Sequence, residues 1–161
     1  MDELYRKTDR TDAFWRDFGH AHHVDADYDV VVFGNSPAMA TELADLVVAG
    51  PKRATAGLVR DFEQGAEPLP VVGGYVVLVD GQGSPRAVWQ TTEVRIGALS
   101  SVDEAFAWDE GEGDRTRNDW LRLHRAYFEA QAKEEGFDFD DSIETVFERF
   151  KVVWPRDLAD P

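Results

Sequence analysis

Apolar residues that recur every three to four positions predict the clearest helix of this chain. They are Met39, Leu43, Leu46 and Val47. Ser36 and Pro37 come just before them, and a capping serine followed by a proline in the first turn is a favourable helix start. Gly50 follows, where a left-handed glycine commonly ends a helix. We therefore predict a helix that begins at Pro37 and ends just before Gly50.

Runs of β-branched and apolar residues predict extended segments on both sides of this helix. They span residues 28–33, 75–79, 86–96 and 145–154. The sequence Asp-Gly-Gln-Gly-Ser-Pro at 80–85 is rich in turn-forming residues, so the second and third runs should form a hairpin. The stretch 54–62 fits either a strand or a short helix.

Two further helices are predicted in the second half of the chain. Ser101 and Glu104 have the spacing of a capping box, which predicts a helix from Val102 to about Asp109. Apolar side chains at helical spacing predict a longer helix over 118–135. The order of elements contains neither a βαβαβ alternation nor a glycine fingerprint for phosphate. We predict an α+β fold with a largely antiparallel, barrel-like sheet.

Charge and composition argue against several classes of function. The chain has 161 residues, which suits one domain, and 32 acidic against 17 basic residues give a formal net charge of −15. A field of that sign repels phosphate backbones, so we expect no general binding of duplex DNA, although a local basic pocket could take one nucleotide or nucleoside. Cysteine is absent, which excludes disulfides and thiolate chemistry. The polar N-terminus does not resemble a signal sequence and no apolar run is long enough to span a membrane, so we expect a cytoplasmic protein without membrane contact.

The octet Gly-Pro-Lys-Arg-Ala-Thr-Ala-Gly at 50–57 is the most informative motif. Lys52 and Thr55 would project from one short loop, which is the geometry of an amine-activated hydroxyl nucleophile or of an anion-binding loop. A basic surface turn at the end of the preceding helix is the simpler alternative. Glu110 is the candidate third group, because a glycine follows it and allows a sharp turn. The alternative for Glu110, Glu112 and Asp114 is a solvated acidic loop.

Histidine and tryptophan residues carry weaker signals. Three histidines are clustered, and two of their imidazoles could share a metal ion, but no third ligand is evident nearby, so a polar linker is favoured and no metal or cofactor is expected; they are His20, His22 and His23. His124 is interpreted as a boundary residue of its helix, and a pocket position stays open. Three tryptophans could stack on a nucleobase, although core packing is the commoner role; they are Trp89, Trp108 and Trp120.

Residues 50–55 resemble the Gly-x-Lys-x-x-Thr signature of ASCH domains, a family with a PUA-like fold. Four other segments resemble a bacterial subgroup of that family: Phe-Gly-Asn-Ser-Pro at 33–37, Thr-Thr-Glu-Val at 91–94, Glu-Gly-Glu-Gly-Asp at 110–114 and Glu-Arg-Phe at 148–150. The resemblance covers residues 28–155 and implies a mostly antiparallel, PUA-like β-barrel flanked by helices. Residues 1–27 would then be a helical N-terminal extension, and residues 156–161 a frayed tail.

Small bacterial members of this family include amidohydrolases that remove the acetyl group of N(4)-acetylcytidine. The resemblance implies that Lys52, Thr55 and Glu110 are the catalytic set. Thr55 would attack the acyl carbonyl, a partly desolvated Lys52 would take its proton, and Glu110 would orient Lys52 or the substrate and pass a proton to the leaving amine. A modified nucleoside such as an N-acylated cytidine would be the substrate. The side chains expected to bind it are Arg53, Arg60, Trp89 and Glu112.

Two alternatives stay open. The same loop could bind single-stranded RNA, with or without ribonuclease activity, through a funnel of cations. These cations would be Lys52, Arg53, Arg60 and Arg86. The second alternative is a nucleoside-sensing domain without turnover. Gly57 stands where the amidohydrolases tend to have an arginine, a departure that bears on how the substrate is oriented.

Overall fold

The computed structural model describes residues 2–65 and 67–161. Within them, one five-stranded sheet is curled into half a barrel, with the strand order β1-β3-β4-β5-β2. The strands are β1 (Asp29–Val32), β2 (Ala54–Leu58), β3 (Tyr75–Val79), β4 (Pro85–Ala98) and β5 (Glu144–Trp154). β1 and β3 run parallel, and the other neighbouring pairs are antiparallel. The predicted α+β class, the largely antiparallel sheet and the β3–β4 hairpin are confirmed.

Helices surround this sheet. They are α1 (Asp9–His22), α2 (Pro37–Ala49), α3 (Val59–Gln64), α4 (Glu104–Glu110) and α5 (Arg117–Glu135), and short 3₁₀ helices span Asp2–Tyr5, Leu99–Ser101 and Arg156–Leu158. The predicted start and end of α2 are confirmed: Ser36 Oγ accepts a hydrogen bond from the Met39 N–H at 3.2 Å, and Gly50 follows the helix with a left-handed φ of 116°. None of the described helices combines the length and the apolar character that a membrane span requires.

Two local predictions are resolved by the structure. The stretch that fitted either a strand or a helix contains both, because β2 ends at Leu58 and α3 begins at Val59. The predicted capping box is wrong in its cap residue: Asp103 caps α4 by accepting a hydrogen bond from the Phe106 N–H at 2.8 Å. Ser101 instead ends a 3₁₀ turn. Aspartate and serine are equally good caps, so the sequence alone did not separate them.

Each face of the sheet has its own apolar cluster. On the inner face, which α2 covers, the Trp89 ring stacks between Phe33 and Phe150 at centroid distances of 5.8 and 4.0 Å. On the outer face, α4 and α5 cover Phe147 of β5. Because side chains alternate along a strand, β5 contributes to both clusters and lies between them.

Most of the described residues before β1 lie in the 3₁₀ helix Asp2–Tyr5 and in α1, and α1 packs against the sheet. Phe18 is buried in a cluster with Tyr28, Val77 and Val88. Thr8 and Thr11 form a reciprocal capping box at the start of α1, which fixes where this helix begins. The outer face of β3 and β4 is thereby shielded from water.

The predicted fraying of residues 156–161 is wrong. The Asp160 carboxylate accepts two hydrogen bonds from the Arg53 guanidinium, at 2.8 and 3.1 Å, and one from the Val152 N–H at 2.8 Å. The Asp160 N–H also donates to the Val152 carbonyl at 2.8 Å. These contacts fasten the end of the described chain to β5 and to the loop that precedes β2.

Candidate active site

A cavity of about 950 Å³ is lined by parts of β1, β2, β5, α3 and α5 and by the loop after α4. A volume of this order is typical of small-ligand sites. Four residues that the sequence analysis assigned to the site line it: Lys52, Thr55, Glu110 and Glu112. The octet before β2 and the acidic segment after α4 therefore meet at one place, although more than fifty residues separate them in the sequence.

The Lys52 side chain is 1% exposed and is held by oxygen atoms. Its ammonium lies 2.8 Å from Glu112 Oε2 and 3.4 Å from Glu110 Oε2, and it also donates to the backbone carbonyls of Ala54 at 2.9 Å and Glu110 at 3.3 Å. The Phe33 ring covers it at 5.0 Å. A buried ammonium is tolerated because carboxylates and carbonyls replace its water.

Gly111 brings the end of α4 against the Lys52 loop. It follows α4 with a φ of 71°, in the left-handed region that favours glycine. A Cβ at this position would lie 2.6 Å from the Pro51 carbonyl carbon and oxygen and 2.8 Å from Lys52 Cα. No side chain fits in that space, so a glycine is required where Glu110 ends the helix and faces the ammonium.

Opposite charges set the protonation of this cluster. Burial alone would lower the pKa of Lys52, but the carboxylates of Glu110 and Glu112 outweigh it and raise that pKa above its usual range. Burial also opposes ionisation of Glu110, yet Lys52 and His124 hold its pKa below the usual range. Burial and the adjacent Glu110 carboxylate raise the pKa of Glu112 to about 7. The raised pKa of Lys52 favours its charged form and so disfavours the expected role of this amine as a proton acceptor. Of the two carboxyls that contact Lys52, Glu112 is the one whose pKa is raised towards neutrality.

His124 lies inside the site rather than at the boundary of its helix. Its Nδ1–H donates to the Trp120 carbonyl at 2.8 Å, its Nε2 lies 3.4 Å from Glu110 Oε1, and its ring stacks on the Trp120 ring at 3.8 Å. Burial lowers the pKa of His124, but Glu110 outweighs it and the pKa is raised. Both ring nitrogens face acceptors, which suits the imidazolium. In the sequence, a pocket position for His124 was indicated by its place one residue off the apolar stripe of α5.

Glu110, Glu112 and His124 also have donor atoms within 4.8 Å of one another, a set of the kind that binds divalent cations. The Lys52 ammonium contacts both carboxylates and is the positive charge that they surround. A divalent ion at this position would have to displace it. The clustered histidines near the end of α1 do not form a comparable donor set within the described residues.

Two arginines that were expected to bind substrate do not line the cavity. Arg53 is engaged by Asp160 and by backbone carbonyls, so its guanidinium fastens the loop rather than facing a ligand. Arg60 stacks over the Phe137 ring at 3.7 Å and pairs with Glu135 at 2.9 Å. The predicted contacts of Arg53 and Arg60 with substrate are therefore wrong for this structure, because intramolecular partners occupy both guanidinium groups.

The predicted funnel of cations is not formed either. Arg86 pairs with Asp45 at 2.8 Å, away from the cavity. Of the cations proposed for the funnel, Lys52 lines the cavity. Arg6 is a further cation on the wall that the sequence analysis missed.

The Trp89 ring is also unavailable to a ligand. It is 0% exposed, between Phe33 and Phe150, and its Nε1–H donates to Glu148 Oε2 at 3.1 Å. The predicted stacking of Trp89 on substrate is wrong, because its two faces are already covered by core side chains. Trp89 contributes to the site indirectly, by holding Glu148.

Carboxylates dominate the cavity wall. Beside Glu110 and Glu112, the acidic lining residues are Asp61, Glu67, Glu134, Glu135 and Glu148. Among the described residues the opposing cations are Lys52, Arg6 and, when protonated, His124. Such a wall repels a phosphate group and suits an uncharged or cationic ligand with several hydrogen-bond donors.

Thr55 and Gly57 lie on the cavity side of β2. The Thr55 hydroxyl makes no side-chain hydrogen bond within the described residues, so it is available to a ligand. A Cβ added at Gly57 would lie 3.2 Å from the Phe62 ring. Any side chain at this position would therefore press against an aromatic ring, which would have to shift by a few tenths of an ångström.

Comparisons with known proteins agree with this architecture. The sequence profile described as ASCH domain matches residues 29–154. The structure is similar to an ASCH domain from Lactobacillus crispatus JV V101, with a TM-score of 0.81, 29% identity and coverage of 92% of this chain and 96% of that one. It is also similar to protein EF3133 from Enterococcus faecalis V583, with a TM-score of 0.79, 32% identity and coverage of 95% and 90%. No curated protein matches the sequence significantly. The predicted PUA-like architecture is confirmed, and the chain belongs to the ASCH domain family.

Proposed function

We propose that this protein is an amidohydrolase that removes an acyl group from the exocyclic nitrogen of a cytidine-type nucleoside. The observation that carries the proposal is the buried Lys52 ammonium, paired with Glu110 and Glu112 in the cavity that the Thr55 hydroxyl also lines. A hydroxyl, a fixed positive charge and a carboxyl that titrates near neutrality are the groups that acyl transfer requires.

In the proposed reaction, Thr55 Oγ1 bonds to the acyl carbon and the hydroxyl proton passes to ionised Glu112. The Lys52 ammonium stabilises the negative oxygen of the tetrahedral intermediate. The carbon–nitrogen bond then breaks, and Glu112 returns the proton to the leaving amine. Water attacks the Thr55 ester, with Glu112 as base, which releases the carboxylic acid and restores the hydroxyl.

The proposed roles of Glu110 and Glu112 differ from those expected from the sequence, because the two carboxyls have different charged neighbours. Glu110 accepts from Lys52 and lies against His124, so it stays ionised and orients the ammonium. Glu112 has its pKa raised to about 7, which suits a group that both accepts and returns a proton. Lys52 acts as a charge rather than as a base.

The carboxylate-rich wall favours a free nucleoside over RNA. Bringing a phosphodiester into this cavity costs electrostatic energy, because the carboxyl side chains on its wall outnumber the cations. Binding of single-stranded RNA would also weaken steeply with added salt. We therefore favour the hydrolase over the RNA-binding and ribonuclease alternatives.

The test is release of cytidine from N(4)-acetylcytidine, followed by chromatography, for the wild type and for Lys52→Met and Thr55→Val. Both substitutions preserve side-chain size. Loss of the ammonium should lower kcat by about 10²–10³-fold, as for other groups that stabilise an oxyanion, and Thr55→Val should abolish turnover. Arg86→Ala, outside the cavity, is the matched control and should be as active as wild type.

Unchanged turnover in Lys52→Met would overturn the proposal. A short single-stranded RNA in the same incubation addresses the alternative. Cleavage of the RNA with intact N(4)-acetylcytidine would favour the ribonuclease instead.

A further inference from the structure

Glu148 is a buried carboxyl in the cavity that the proposed reaction does not use. It belongs to the Glu-Arg-Phe motif of β5 and is the register partner of Thr55 on β2. Side chains of directly paired residues lie on the same face of a sheet, with Cβ atoms about 4.5–5.5 Å apart. Glu148 is therefore the nearest cross-strand neighbour of the proposed nucleophile, and both residues line the cavity.

One oxygen of this carboxyl is fixed by the core. Glu148 Oε2 accepts hydrogen bonds from Trp89 Nε1–H at 3.1 Å and from the Thr91 hydroxyl at 2.7 Å. Trp89 and Thr91 are themselves buried. The indole can only donate, so Oε2 is held as an acceptor and the orientation of the whole carboxyl is set.

The other oxygen has no protein donor. Glu148 Oε1 makes no hydrogen bond within the described residues, although the side chain is 6% exposed and lines the cavity. This oxygen is not among the fully buried atoms that lack a partner, and Glu148 lines the cavity, so Oε1 can accept a hydrogen bond from a bound molecule. Burial also raises the pKa of Glu148, and a third donor at Oε1 would favour its ionised form. The arrangement suits a ligand that brings an N–H group to this position.

We infer that Glu148 Oε1 accepts a hydrogen bond from the N–H of the scissile amide and so selects secondary amides over N-alkylated ones. This inference rests on the proposed function. Because Glu148 is paired with Thr55 across the strands, the amide nitrogen would be held beside the attacking hydroxyl. Sites built to accept a hydrogen bond discriminate strongly against analogues that lack the donor.

Glu148→Gln reverses the polarity of this contact without changing its shape. The glutamine carbonyl must face Trp89 and Thr91, because the indole needs an acceptor, and its NH₂ group then replaces Oε1 in the cavity. A donor would thus meet the substrate N–H. Denaturant unfolding of the variant reports separately on any structural damage.

The experiment compares kcat/KM for N(4)-acetylcytidine and for its N(4)-methyl derivative, in wild type and in Glu148→Gln. Wild type should strongly prefer the substrate with the N–H. Glu148→Gln should lose about 10–100-fold on that substrate, corresponding to one charged hydrogen bond, and little on the methylated one. Equal losses on both substrates, or an unchanged preference, would overturn the inference.

Thr91→Val is the second variant, for the case that Glu148→Gln does not fold. It removes one of the two donors that orient Glu148 and should weaken the same preference to a smaller extent; an unchanged preference would count against the inference.

If wild type releases no cytidine, calorimetric titration of the same two ligands separates the ideas. If wild type binds the N–H ligand preferentially and Glu148→Gln abolishes this preference, the role of Glu148 is supported although the hydrolase proposal fails. If wild type shows no such preference, both proposals are overturned.

Discussion

Gly111→Ala is the substitution for which the structure gives the sharpest expectation. Two costs combine at this position. A non-glycine residue at a φ of 71° pays about 1–2 kcal/mol for the left-handed conformation. The new Cβ would also lie 2.6 Å from the Pro51 carbonyl group and 2.8 Å from Lys52 Cα, and relieving such overpacking costs typically about 1–3 kcal/mol. We expect a total of about 2–5 kcal/mol of lost stability.

Gly136→Ala is the matched control. Gly136 also follows a helix, α5, with a left-handed φ of 77°, but a Cβ added there would have no atom within 4 Å beyond its immediate chain neighbours. It should therefore pay the conformational cost alone, about 1–2 kcal/mol. Urea unfolding of wild type and both variants measures the two losses, provided that the slopes with denaturant agree.

The steric overlap at Gly111 should also lower the turnover of the proposed reaction. Relief of the overlap must move α4 away from the Lys52 loop, which separates Glu110 from the ammonium. Gly111→Ala should therefore lose turnover under conditions in which it is folded, whereas Gly136→Ala should keep it. Equal destabilisation of the two variants would refute the steric reasoning, and a fully active, folded Gly111→Ala would refute the link between this glycine and the site.

Two other substitutions test single contacts. The folded chain holds a proton on Glu112 more tightly than the unfolded chain, since its pKa rises from 4.5 to about 7; this contribution to stability is complete below pH 4.5 and is lost as pH rises through about 7. Glu112→Gln should flatten that part of the stability profile, as measured by unfolding at stepped pH, and an unaltered slope would contradict the assignment. Asp160→Asn removes the charge that Arg53 binds through two hydrogen bonds and should cost about 1–2 kcal/mol in thermal unfolding. Asp157→Asn, at an exposed position nearby, should be neutral, and indistinguishable losses would contradict the anchoring role.

The elements that the sequence predicted well are those fixed by nearby residues. Ser36 and Gly50 delimit α2 through contacts within one turn, and the turn between β3 and β4 is encoded by its own composition. Lys52, Thr55 and Glu110 were singled out from the octet and the glycine after Glu110 and then grouped by the family resemblance, and the structure brings all three to one cavity. Their catalytic roles remain proposals.

The failures share a physical cause. Whether Arg53 faces a ligand depends on Asp160, more than a hundred residues away, and whether Trp89 can stack on a base depends on Phe33 and Phe150. Composition and periodicity carry no information about such pairings. The protonation of Lys52 likewise depends on how many carboxylates the fold gathers around it, which a single sequence does not display.

The Phe62 ring beside Gly57 affects the order in which substitutions at this site can be accepted. Gly57→Arg on its own would press the new Cβ against the ring, which lies 3.2 Å from that position, and the ring would have to shift. After Phe62→Ala, the same substitution would enter an open space. We therefore expect the two positions to be epistatic, so that Gly57→Arg costs less stability after a change of Phe62 to a smaller residue than before it.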